Sequence, residues 1–172
     1  MITLLKKIVQ ENYIEDFYLS GFFADDEEPK RFYPNLSYIY IKFESEYIEL
    51  EHDKYDYKIH VRVVKEFKPN YEDEGYPNCI SSITNQVLVS PEKQNRINKI
   101  IFYGLEDSGD SLVCDAFELV VEGQTIFFDP EFLRDITIGG ESQKQCWKEN
   151  FEEFILPHVG NFPKKTCIEF DY

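Results

Sequence analysis

The chain has 172 residues, of which 33 are acidic and 18 basic, so its formal net charge is −15 at neutral pH. A surplus of this size repels nucleic acid and anionic membranes, and it attracts basic proteins through long-range electrostatics. Fifteen Phe and twelve Tyr supply large buried areas that a disordered chain lacks. We therefore predict one folded domain over residues 1–172 that does not bind nucleic acid directly. The alternative is that the charge only keeps an aromatic-rich protein soluble.

The start of the chain and the cysteines predict a cytoplasmic protein. Two lysines follow a short apolar stretch, without the longer apolar core and cleavage site of a signal peptide. No segment approaches the length of a membrane span. Cys79, Cys114, Cys146 and Cys167 have no CxxC or CxxH spacing. We expect free, mostly buried thiols in a reducing compartment.

In the first half of the chain, the patterns predict one helix followed by strands. Thr3 can cap a short helix, since apolar residues recur at helical spacing as far as Tyr13. Residues 37–43 (SYIYIKF) are apolar on both faces, which indicates a central strand. Residues 68–78 contain two prolines, a glycine and three acids, which predicts a long exposed loop.

The clearest pattern is a hairpin that joins the segments EYIELE and YKIHVRVV. Glu49 and Glu51 alternate with apolar residues in the first segment, as Lys58, His60 and Arg62 do in the second. Pairing sets the acidic stripe opposite the basic stripe and places both apolar sets on one buried face. Each cross-strand pair contributes about 0.2–1 kcal/mol. We therefore predict that His60 belongs to a charge ladder and not to an acid–base pair.

In the second half, further strands surround a second hairpin. Strands are predicted within residues 79–89 and over residues 99–105, separated by a short helix that begins at Ser90-Pro91. Residues 113–121 alternate as one strand, and Gly123-Gln124 supplies the turn to a returning strand.

The last third predicts one short strand, a helix and a final strand. Residues 136–138 form the first strand, and a helix from about Glu141 to Phe154 ends at Pro157. Residues 167–172 complete the chain as a strand. The predicted fold class is α+β, mainly antiparallel β-sheet with two or three helices.

Catalytic and metal-binding patterns are absent from the sequence. His52, His60 and His158 have no second His or Cys at ligand spacing. Cys114 lies in an apolar strand and Cys146 on the apolar face of a helix, so we expect both to pack rather than to act as nucleophiles. Glycine motifs that bind phosphate or position a serine nucleophile are also absent. We therefore expect neither enzyme activity nor a cofactor.

Three acidic loops that also carry aromatic side chains are the candidate partner-binding sites. Their residues are Asp25, Asp26, Glu27, Glu28, Tyr71, Glu72, Asp73, Glu74, Tyr76, Glu106, Asp107 and Asp110. Acidic side chains give fast and selective association with a basic partner, and tyrosines supply contact area. The alternative is that these are ordinary solvated loops.

The segment from Ala116 to Gly140 (AFELVVEGQTIFFDPEFLRDITIGG) combines a hairpin with the motifs FFDPxFL and IGG. In this segment, as in its size, acidity and lack of a catalytic motif, the chain resembles immunity proteins of bacterial polymorphic-toxin and contact-dependent growth inhibition systems. The resemblance implies binding to a basic toxin domain, often a nuclease, and occlusion of its active site or substrate channel. It assigns no functional residue.

Two alternative functions remain open. A DNA-mimicking protein would bind many unrelated DNA-binding proteins, and duplex DNA would displace each of them. A small enzyme would need a site assembled from scattered residues, with His60 or Cys114 as participants. A concave pocket that holds a titratable group of shifted pKa would favour the enzyme.

Overall fold

The computed structural model describes residues 1–23, 28–53, 55–67, 78–130 and 135–172. The helices are α1 (Ile2–Glu11), α2 (Thr84–Val87), α3 (Glu141–Asn150) and α4 (Leu156–Val159), and a π-helical turn (Phe151–Ile155) joins the last two. The strands are β1 (Asp16–Phe23), β2 (Phe32–Lys42), β3 (Tyr47–His52), β4 (Ile59–Val64), β5 (Asn78–Ser82), β6 (Ile97–Tyr103), β7 (Glu106–Asp107), β8 (Leu112–Cys114), β9 (Ala116–Val121), β10 (Gln124–Pro130), β11 (Ile136–Gly139) and β12 (Lys165–Glu169).

The strands form two antiparallel sheets. The first has the order β5-β1-β2-β3-β4-β8-β7, and the second has the order β11-β10-β9-β6-β12. The prediction of an α+β fold dominated by antiparallel sheet is confirmed. Among the described residues, no helix has the length and apolar composition needed to cross a membrane.

The main core lies between the two sheets. Ile39 and Leu50 of the first sheet belong to one buried cluster with Phe117 and Leu119 of the second. Helix α1 adds three apolar side chains to the same cluster. Strand β9 is buried on both faces, because Ala116 packs in a second cluster between the outer face of the second sheet and α3.

The predicted hairpin of β3 and β4 is confirmed. Glu49 lies opposite Arg62, and Glu51 lies opposite His60. Arg62 Nη1 binds Glu51 and lies 3.3 Å from Glu49 Oε1. The imidazole Nε2 of His60 lies 3.2 Å from Asp53 Oδ2, so His60 belongs to the polar network on this face.

Two predictions near turns are wrong. Residues 91–92 form a turn and not a helix, because the side-chain amide of Asn95 donates to the carbonyls of Ser90 and Lys93 and closes the loop. The short helix of this region is α2, upstream of Ser90. The β9–β10 turn consists of Glu122-Gly123, both with positive φ (33° and 84°), and not of Gly123-Gln124.

Residues 113–121 do not form one strand. The chain leaves the first sheet after Cys114 and enters the second at Ala116, so the strand is divided at Asp115. Strand β8 pairs with β4, whereas β9 pairs with β6. The side chains that face the main core are Leu112 and Cys114 on β8 but Phe117 and Leu119 on β9, so the alternation changes phase at the division. Because Val113 and Ala116, on the opposite faces, are apolar too, the sequence did not reveal this change.

The two ends of the chain depart from prediction in smaller ways. Thr3 lies within α1 and does not cap it. The C-terminal helix continues beyond Phe154 to Val159, because the π-helical turn accommodates Pro157, whose ring would clash with a carbonyl in a regular α-helix. The four cysteines are free, but only Cys114 is buried, and Cys146 is exposed rather than packed.

Candidate functional site

The structure describes four of the twelve residues predicted to bind a partner. Glu28, Glu106, Asp107 and Asp110 are all exposed. The other eight, which lie outside the described residues, are Asp25, Asp26, Glu27, Tyr71, Glu72, Asp73, Glu74 and Tyr76. Exposure is shown for those four residues alone, and partner binding by all twelve stays a prediction.

The third acidic loop forms an edge of the first sheet. Glu106 and Asp107 make up β7, and Asp110 lies in the turn that leads to β8. Three strands separate β2 from β7 in the sheet order, so Glu28 is not part of this edge. We call Glu106, Asp107 and Asp110 the acidic edge.

A cleft of about 490 Å³ lies next to the acidic edge. Its walls come from the β3–β4 connection, the β8–β9 junction, the end of β10 and the C-terminal helices. The volume lies within the range of about 300–1,000 Å³ that is typical of ligand pockets. We call this site the aromatic cleft.

Trp147 fixes one wall of the aromatic cleft. Its ring centroid lies 4.9 Å from that of Tyr103, 5.5 Å from that of Phe127 and 5.6 Å from that of Phe151. These rings fill the space between the second sheet and α3 and leave Trp147 only 5% exposed. Because the wall is held by packed aromatic rings, it is preformed.

A buried polar network holds α3 against the same sheet. The Glu118 carboxylate is buried, accepts a hydrogen bond of 2.7 Å from the Tyr103 hydroxyl and lies 3.0 Å from Lys144 Nζ. Burial, together with the hydrogen bond to Glu118, raises the pKa of Tyr103. Tyr103 therefore links the network to the ring of Trp147.

The mouth of the aromatic cleft is apolar and exposed. Phe154 and Val159, on the π-helical turn and α4, are 51% and 56% exposed. Tyr57, from the β3–β4 connection, also lines the cleft and is 44% exposed. Its φ of 54° lies in the left-handed region, which costs a bulky residue about 1–3 kcal/mol and is concentrated at functional sites. π-helical turns are also frequent at functional sites.

Asp115 lies in the aromatic cleft where the chain changes sheets. Its backbone N–H donates to the Tyr103 carbonyl at 2.7 Å, and a Cβ added at Gly104 would overlap its carboxylate. Among the described residues, no donor makes a hydrogen bond to that carboxylate. Burial raises the pKa of Asp115, Lys58 opposes this shift, and Glu106 adds to it. The carboxylate is therefore held ready to accept hydrogen bonds from a ligand.

Lys58 connects the aromatic cleft to the acidic edge. Its Nζ lies 2.6 Å from Glu106 Oε1. Burial alone would lower the pKa of Lys58, but the hydrogen bond to Glu106 and the charges of Asp115, Glu106 and Asp56 raise it. One ammonium group therefore lies among three carboxylates.

Comparison of the chain with protein-family models, with curated proteins and with solved structures gives no match. The chemistry of the aromatic cleft must therefore be judged from its own residues. Its aromatic walls and partly buried carboxylates suit a ligand that combines apolar surface with positive charge.

The residues considered for catalysis lie elsewhere. Cys114 is fully buried, and burial raises its pKa, which keeps the thiol protonated. His60 lines a separate depression of about 320 Å³ with Arg62 and Asp53. In the part of the chain that the structure describes, no three His, Cys, Asp or Glu side chains are grouped to hold a metal ion.

The aromatic cleft was not predicted, although one feature of the sequence indicated it. Asp115 lies between the apolar residues Cys114 and Ala116, in a segment whose pattern predicts a strand. A carboxylate at such a position needs a partner or a ligand. The residues that line the cleft extend from Asp56 to Pro163 along the chain, so no local spacing brings them together.

Proposed function

We propose that this protein is a cytoplasmic bacterial immunity protein that binds and neutralises a basic toxin domain, with a nuclease as the expected target. It would occlude the active site or the substrate channel of that domain. The observation that carries the proposal is the aromatic cleft, whose exposed apolar mouth lies beside the acidic edge.

The arrangement matches the anatomy of a protein interface. Hot spots combine buried aromatic anchors with a polar rim, and exposed apolar patches on a folded protein mark interaction sites. Tyr57, Phe154 and Val159 would supply the apolar centre, and the acidic edge would supply part of the rim.

The charge favours a basic partner over other macromolecules. A net charge of −15 repels phosphate backbones but attracts the basic surface with which a nuclease binds its substrate. Acidic rim residues would speed the association, whereas the apolar centre would set the lifetime of the complex.

Growth rescue tests the proposal. The C-terminal domain of the protein encoded immediately upstream would be expressed alone and together with this chain, and survival and recovery of a complex would be scored. Toxicity that is relieved with formation of a stable pair is the expected result. A domain that is harmless, or that kills equally in both cases, would overturn the proposal.

A small enzyme is the second candidate, because Asp115 lies in a largely apolar cleft and its pKa is raised. In that case Asp115, rather than His60 or Cys114, would be the titrating group. A small amine substrate that is turned over by the wild type but not by Asp115→Asn would favour this candidate.

A further inference from the structure

The charged side chains around the aromatic cleft carry a net negative charge, which favours the binding of a cation. Lys58 is bound to Glu106 at 2.6 Å, so these two charges largely cancel. Asp56 and Asp115, which line the cleft, lie close enough to Lys58 to raise its pKa. Lys58 is already paired with Glu106, so it only partly neutralises the charges of Asp56 and Asp115. Among the described lining residues, the balance is therefore negative.

Asp115 is the group best placed to bind that cation. Its carboxylate is partly buried in the cleft and accepts no hydrogen bond from the described residues. The fold has already removed part of its hydration, so a ligand that pairs with it meets a smaller further desolvation cost. Binding to a cation would also relieve the unfavourable burial of this charge.

The walls favour a guanidinium group over an ammonium group. Trp147, Phe151 and Phe154 line the cleft with aromatic surface. A guanidinium is planar, stacks on aromatic rings and binds a carboxylate through two parallel hydrogen bonds. An ammonium group is more strongly hydrated and binds as a point charge.

We propose that the aromatic cleft receives an arginine side chain of the basic partner, with its guanidinium paired with Asp115 and its stem packed against Phe154 and the neighbouring rings. This inference rests on the proposed function for the existence of a protein partner. It specifies that the partner's central contact residue is an arginine, which the acidic surface by itself does not specify.

The single tryptophan of the chain provides the measurement, because Trp147 lines the cleft. Its fluorescence would be titrated with the peptide acetyl-Gly-Arg-Gly-amide. The same peptide with citrulline, which has the shape of arginine but no charge, and the same peptide with lysine would be the comparison probes. We expect a saturable change with arginine, a weaker one with lysine and the weakest with citrulline.

Two variants and one control identify the anchor. Asp115→Asn keeps the shape of the side chain and removes its charge, and we expect at least tenfold weaker binding of the arginine peptide. Phe154→Ala, at an exposed wall position, should also weaken binding without affecting the fold. Glu92→Gln removes the charge of an exposed acid that neither lines the cleft nor belongs to the acidic edge, and this variant should bind as the wild type does.

Equal binding of the arginine and citrulline peptides, or unchanged binding by Asp115→Asn, would overturn the inference. The complex with the toxin domain separates the two proposals. If growth rescue succeeds and survives Asp115→Asn, the arginine anchor is wrong and the inhibitor function stands. If rescue fails although the arginine peptide binds through Asp115, the inhibitor function is wrong and the cleft remains a site for guanidinium groups.

Discussion

Lys58 Nζ lies 2.6 Å from Glu106 Oε1, and this contact joins the acidic edge to the aromatic cleft. Burial raises the pKa of Asp115, the charge of Lys58 lowers it, and the charge of Glu106 raises it. Lys58→Met should therefore raise the pKa of Asp115 further, whereas Glu106→Gln should lower it. Carboxyl-carbon NMR titration of Asp115 measures both changes.

Lys99→Met is a matched control, because Lys99 pairs with Glu169 on β12 and does not line the cleft. It should leave the titration of Asp115 unchanged. A shift of the Asp115 pKa in the same direction in Lys58→Met and in Glu106→Gln would show that these charges do not act on Asp115 as described.

The partly buried position of Asp115 makes stability depend on pH. Because its folded-state pKa lies above the usual 3.8, the folded protein binds this proton more tightly than the unfolded chain does. This group's contribution to the free energy of unfolding therefore falls as pH rises from about 3.8 through the folded-state pKa. Asp115→Asn cannot ionise, so its stability relative to the wild type should increase across that range. Urea denaturation at a series of pH values gives the difference, and a constant difference would contradict the account.

The predictability of the fold differs between its two halves. The β3–β4 hairpin was predicted with its acidic stripe opposite its basic stripe, because Glu49 and Arg62 mark the two strands by charge while their neighbours mark the buried face. The residue pairs themselves come from the structure. The division at Asp115 was not predicted, since apolar residues on both faces of β8 and β9 conceal the change of phase between these strands. The continuation of the last helix was missed because a π-helical turn accommodates Pro157.

The candidate site was predicted only in part. The acidic edge was recognised because its three residues lie close together in the sequence, within positions 106–110. The aromatic cleft combines Tyr57, Asp115 and Trp147 from separate parts of the chain, and only tertiary packing brings them together. The apolar periodicity of the last helix did predict a buried face, but it did not show that Phe154 would remain exposed.

The buried pair of Lys144 and Glu118 should be important for stability. Lys144→Met leaves the Glu118 carboxylate buried without its cation, which typically destabilises a protein by about 3–5 kcal/mol. Chemical denaturation measures the loss. Lys144→Met, Glu118→Gln together should recover part of it, because no uncompensated charge remains. A loss in the single variant as small as that of Lys99→Met, at an exposed pair, would contradict the structural role.

The β9–β10 turn allows a test of backbone conformation alone. A Cβ added at Gly123 would have no atom within 4 Å, but φ is 84° there. Gly123→Ala should therefore cost about 1–2 kcal/mol through conformation and not through a clash. At the preceding position, Glu122→Asn should be stabilising, since Asn tolerates positive φ better than Glu does. Thermal unfolding distinguishes the two, and stabilisation by Gly123→Ala would exclude this turn geometry.

The central claim is that the aromatic cleft is the centre of an interface with a basic toxin domain. Calorimetric titration of the purified toxin domain with the wild type and with the Phe154→Ala, Val159→Ala double variant tests it most directly. Val89→Ala is the matched control, since Val89 is 82% exposed and does not line the cleft. We predict that the double variant binds at least a hundredfold more weakly, whereas the control binds as the wild type does. Equal affinity of all three proteins for the toxin domain would contradict the claim.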